Sequence, residues 1–131
     1  MKRTLLILLL AYAAATVVHF VHNAELIADY PNLPATWTRA DVYLAWVAMT
    51  AVGALGVFLV ARGYQIPGLL LVAIYAALGL DSLGHYVLAP MSAHTLAMNA
   101  TILLEVMAAA LVMVEAVRLM ARRIFGREST T

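Results

Sequence analysis

Four histidines carry most of the chemistry this sequence could offer: His19, His22, His85 and His94. Two acids stand with them, Asp81 and Glu105. Imidazole and carboxylate together ligate zinc, copper or iron, and the same groups move protons. Their spacing sorts them onto faces. His19, His22, Asn23 and Asp29 share one helical face, with Glu25 at its rim. Asp81 and His85 are four residues apart and stack on one face, and His94, Met98, Thr101 and Glu105 form a narrow stripe at helical period. Asn23, Glu25, Ser82, Tyr86, Met98 and Asn99 are placed to support these ligands or to line a pocket beside them. The chain has no cysteine, which excludes thiolate catalysis, disulfide exchange and cysteine-held metal clusters. Lys2 is the one lysine and lies outside the apolar runs, so a Schiff-base chromophore is excluded too.

The elements that must position these residues are written in the composition. Of 131 residues, 65% are hydrophobic and 11% charged, whereas a soluble domain is about half apolar and a quarter charged. Four apolar runs, at residues 4–29, 40–61, 66–88 and 93–121, each exceed the ~20 residues that cross a hydrocarbon layer. The expected fold is an all-α integral membrane protein: one domain over residues 1–131, a four-helix up-down-up-down bundle, and a flexible tail at 122–131. The basic start, Met1-Lys2-Arg3, is similar to a signal peptide, but the apolar run continues past its small residues, so an uncleaved first helix is expected. Pro31, Asn32, Pro34 and Trp37 mark a structured loop at 30–39. Thr38 or Asp41 is the expected N-cap of the second helix, and Ser92 that of the fourth. Tyr30, Trp37, Tyr43 and Tyr86 are expected in an interfacial belt, and Gly53, Gly56 and Gly79 at close helix approaches.

Charge sets the orientation. Lys2, Arg3, Arg62, Arg118, Arg122, Arg123 and Arg127 fall at one end of the runs, and Arg39 alone at the other. Positive residues stay inside, so both termini are expected in the cytoplasm and the histidines near the periplasmic or extracellular face of the plasma (inner) membrane. The net charge of +1 argues against a nucleic-acid partner. Membrane lipids, a lipid-like substrate and a second copy of the chain are the partners this composition allows.

Depth brings the groups level. At ~1.5 Å per residue, His22 and Asp81 lie ~10 Å below the outer surface, and His19 and Glu105 ~16 Å. Intramembrane ionisable groups turn inward toward one another. The expectation is therefore an outward-facing pocket in which His19, His22, Asp81, His85, His94 and Glu105 hold a transition metal, with zinc, copper and iron not distinguished and haem less favoured. Three functions remain open. One is a metalloenzyme, an oxidoreductase or hydrolase acting on a lipid-like or small apolar molecule. The second is a metal or haem module for copper handling or electron transfer. The third is a metal-free acid–base or ligand pocket, isomerase-like in character. A transporter is disfavoured because the inner halves of the runs lack polar stations, although Glu105 could serve as the coupling carboxylate of a dimeric exporter. Asp81-Ser82-Leu83-Gly84-His85 resembles the Asp-x-x-x-His element of the zinc-dependent intramembrane ceramidase and receptor-hydrolase group. That group has seven spans and different remaining spacing, so no roles carry over. The span count and outer pocket are similar to the sterol-isomerase and sigma-2-receptor group, again without residue roles.

Overall fold

The computed structural model describes residues 2–126, and among them it is all helix and turn, with no strand. Helix α1 is Arg3–Glu25, α2 is Arg39–Ala61, α3 is Gln65–Leu80, α4 is Gly84–Leu88 and α5 is Leu96–Phe125. Single 3₁₀ turns occupy Ile27–Asp29, Asp81–Leu83 and Met91–Ala93. Four stretches, Arg3–Glu25, Arg39–Ala61, Gln65–Leu88 and Leu96–Phe125, are long and apolar enough to cross a membrane. A 23-residue helix such as α1 is about 35 Å long, against ~30 Å of hydrocarbon.

The apolar runs and the helices differ at their ends. α1 stops at Glu25 rather than 29, where Leu26 leaves helical geometry (φ −115°, ψ 27°). The third run is not one continuous helix. At Asp81 and Ser82 it tightens into a 3₁₀ turn before α4, and the Ser82 hydroxyl bonds the Glu105 carboxyl of α5 rather than the backbone. Thr95, not Ser92, caps α5, its hydroxyl accepting from the Met98 N–H at 3.2 Å. His94 therefore sits in extended backbone ahead of the helix, off the stripe of Met98, Thr101 and Glu105. α5 continues to Phe125, beyond the expected end at 121. The rest of the expected tail, with Arg127, lies outside the described residues. Thr38 and Asp41 together form a capping box on α2: Asp41 N–H donates to the Thr38 hydroxyl at 3.3 Å, and Thr38 N–H to the Asp41 carboxylate at 2.9 Å.

Packing runs in a ring, α2 on α3, α3 on α5, α5 on α1, with α1 and α2 touching least. Leu5, Leu9, Tyr12, Leu69, Val72, Ala76, Ala109, Val112 and Ala116 fill the centre. Large apolar side chains such as Leu10, Leu44, Phe58, Met107, Leu111 and Val114 cover the outside. An apolar surface of this extent marks a membrane or protein contact. Gly56 and Gly68 let α2 and α3 meet backbone to backbone. A Cβ on Gly68 would lie 2.7 Å from Val60 N and 2.8 Å from the Gly56 carbonyl. Gly79 makes room for Tyr12, whose hydroxyl donates to the Tyr75 carbonyl at 2.9 Å.

Candidate functional site

The break between α3 and α4 turns Asp81, Ser82 and His85 toward α1 and the loop before α2. Together they line a cavity of about 320 Å³ with His19 and Asn23 of α1, Leu33, Pro34 and Trp37 of the loop, and Val42, Ala45 and Met49 of α2. Most of the wall is apolar, and the polar groups come from α1 and the break. Asn32 pins the loop over this region: it takes the left-handed backbone (φ 59°) that asparagine tolerates, and its side-chain amide donates to the Leu88 carbonyl at 2.9 Å.

One wall residue, His19, belongs to a buried pair. His19 Nε2 is 3.6 Å from Glu105 Oε2, with side chains 2% and 0% exposed. The depths read from the helical rise thus bring these two residues together. The Ser82 hydroxyl donates to the same carboxyl oxygen at 2.7 Å. His19 Nδ1 lies 3.4 Å from the Thr101 hydroxyl, which itself donates to the Met98 carbonyl at 3.0 Å. A hydroxyl has one proton to give. Thr101 spends it on Met98, so His19 Nδ1 is the donor and Nε2 presents a lone pair to Glu105. At 3.6 Å the His19–Glu105 contact is an ion-pair separation and not a hydrogen bond. Ser82 and His19 both line the cavity, so the pair borders it directly.

The other predicted residues divide around this pair. Asn23 donates from Nδ2 to His85 Nε2 at 3.1 Å, and its Oδ1 is buried without a hydrogen-bond partner. Asp81 lines the cavity, and its side chain makes no hydrogen bond or ion pair among the described residues. His22 Nδ1 meets the Tyr30 hydroxyl at 2.9 Å. His94 Nδ1 donates to the Pro90 carbonyl at 3.1 Å, leaving Nε2 as a buried lone pair without a partner. Tyr86 donates to Asn99 at 2.9 Å, and Asn99 donates onward to the Met91 and His94 carbonyls. Met98 packs with Tyr30 and Ile102. Glu25 lies outside the cavity wall, exposed, where it accepts from Tyr43 at 2.7 Å and pairs with Arg39 at 3.2 Å.

The six residues expected to bind one metal are therefore brought near one another but not into one ligand set. Among the described residues no three His, Asp or Glu side chains gather as a metal-holding group. The His19 and His85 rings are 5.5 Å apart, and His85 and His94 6.2 Å, while each histidine already bonds a neighbour.

Tyr30 is the main residue whose role the sequence pattern did not reveal. It was expected at the interface, yet it is 4% exposed and sits among His22, His85 and His94. Burial pushes its phenol up to about 12, so it keeps its proton at neutral pH. Its signal is the early end of α1, which turns the chain back over the bundle within five residues of Glu25. A comparison with family models, with curated proteins and with solved structures finds no match.

Proposed function

We propose that this chain crosses a membrane as an up-down-up-down bundle with its basic end in the cytoplasm. We further propose that its outer cavity binds a small, largely apolar molecule bearing a hydroxyl or amine, and exchanges a proton with it. The observation that carries the reading is the buried His19–Glu105 pair, joined through Ser82 to a mostly apolar cavity. The chemistry of the open positions narrows the ligand. Asn23 Oδ1, on the cavity wall, and Glu105 Oε1, beyond Ser82, are buried acceptors without a hydrogen-bond donor, and the exposed Asp81 carboxylate on the wall is a further acceptor. Unpaired buried acceptors cost ~1–3 kcal/mol each, so the fitting molecule brings donors. A donor group of the ligand would bond to the Ser82 oxygen. Ser82 would pass its proton to Glu105, and His19 would take or return that proton at Nε2. Such a relay suits an acid–base step, and a carboxyl and an imidazole are the side chains that most often perform one.

Trp37 offers the test, since it lines the cavity and the chain has only two tryptophans. Trp46→Phe leaves Trp37 as the single reporter. In zwitterionic nanodiscs, a brominated long-chain alcohol or amine is expected to quench it saturably. Ala45→Phe, which fills the cavity, should abolish saturation. Linear quenching of equal slope in both proteins would refute the pocket.

A second reading, a metal bridging His19, His85 and Glu105, is favoured by the buried, unpartnered Glu105 Oε1 and the 5.5 Å ring separation of the histidines. It requires His85 to leave Asn23. Elemental analysis by plasma mass spectrometry, beside a His19→Ala/His85→Ala variant, decides it: near-stoichiometric metal lost in the variant supports that reading.

A further inference from the structure

The opposite end of the bundle holds a second cavity, of about 400 Å³, lined by Lys2, Leu5, Val60, Gln65, Leu69, Leu119, Arg122 and Arg123. Its floor is apolar and buried: Leu5, Val60, Leu69 and Leu119 are at most 8% exposed. Its rim is cationic. No carboxylate lines it, and Lys2, Arg122 and Arg123 form no ion pair among the described residues. Glu115, the acid on the same stretch of α5, is committed on both oxygens to Arg118 at 2.7 Å each. Helix α1 also begins here, after Lys2, with no side-chain cap on its first N–H groups. Free N–H groups at a helix start favour an anion.

We propose that this cavity is a site for an anionic phospholipid. The phosphate would lie between Lys2, Arg122 and Arg123, and the glycerol and upper acyl carbons on the leucine floor. The apolar floor is what selects a lipid over free phosphate, which has nothing to place there. The site shares membrane insertion with the outer pocket and nothing else, so either can fail without the other.

The test is native mass spectrometry of the full chain in a zwitterionic detergent, titrated with phosphatidylglycerol or with phosphatidylcholine of the same acyl chains. Phosphatidylglycerol is expected to be retained at least tenfold more tightly. Each basic residue near an anionic headgroup contributes about fivefold, so Arg122→Gln/Arg123→Gln should remove most of that preference. Arg62→Gln serves as the control, because Arg62 stacks on Phe58 and lies outside the cavity wall; its preference should hold. Millimolar inorganic phosphate should leave the lipid bound. Equal retention of the two lipids would overturn the site. So would displacement by phosphate, which would make it a soluble-anion site, or an Arg62→Gln loss matching the double variant, which would reduce it to general surface charge.

Discussion

Replacing Glu105 separates the architecture of the histidine-lined site from its chemistry. The side chain is fully buried, with Ser82 and His19 against one oxygen. Glu105→Ala removes a buried side chain that its neighbours cannot fully replace, and truncations of that size cost about 2–5 kcal/mol. It also strands the Ser82 hydroxyl and the His19 lone pair. Glu105→Gln keeps the volume. Its carbonyl can accept from Ser82 and its amide can donate to the bare His19 Nε2, so both contacts survive. Side-chain hydrogen bonds within membrane bundles average ~0.6 kcal/mol, and volume-conserving swaps are tolerated. The Gln variant should therefore lie within about 1 kcal/mol of the parent protein, with the cavity still able to bind its probe, while proton exchange is lost because an amide does not titrate. The assay is equilibrium unfolding in mixed micelles of rising dodecyl sulfate fraction, followed by far-ultraviolet circular dichroism. An Ala variant that unfolds with the parent would refute the burial of Glu105. A Gln variant as unstable as the Ala variant would show that charge, and not shape and hydrogen bonding, holds the site.

Other outcomes follow from the same contacts. Gly68→Ala forces α2 and α3 apart where backbone meets backbone, and should cost about 1–3 kcal/mol in that unfolding assay. Gly84→Ala meets nothing within 4 Å and should be neutral or stabilising by up to about 1 kcal/mol; equal losses at the two glycines would contradict the packing. Thr38→Ala breaks the capping box at about 1 kcal/mol. Because the capped helix start carries the loop over the cavity, the same change should also shift Trp37 emission, and unchanged emission would detach the loop from the site. Arg39→Ala removes a pair whose side chains are 65% and 46% exposed, so a stability loss above about 1 kcal/mol would be unexpected.

The four long helices were legible because apolar runs of more than twenty residues admit few other structures, and the depth match of His19 with Glu105 followed from helical rise alone. The breaks were not legible. Asp81-Ser82-Leu83 looks like part of a helical run, and a hydrophobicity pattern registers neither the 3₁₀ turn there nor the Ser82 bond to Glu105 that accompanies it. His94 was assigned to a helical stripe because Ser92 and Thr95 are both competent caps, and only the bond to Met98 N–H chooses Thr95. Tyr30 has the composition of an interfacial residue. Its burial depends on where the loop returns, which is a tertiary matter. The metal expectation counted ligand types at matched depth but not their partners. Asn23, Tyr30, Thr101 and the Pro90 carbonyl each engage an imidazole, and that pairing favours the acid–base reading.

The most direct measurement is a crystal structure of the protein grown from a lipid phase. Elongated non-protein density in the cavity beside Trp37, within hydrogen-bond reach of Ser82, Asn23 or Asp81, is the result the account predicts. A compact peak ligated by His19, His85 and Glu105, or a cavity closed by its own side chains, would contradict it.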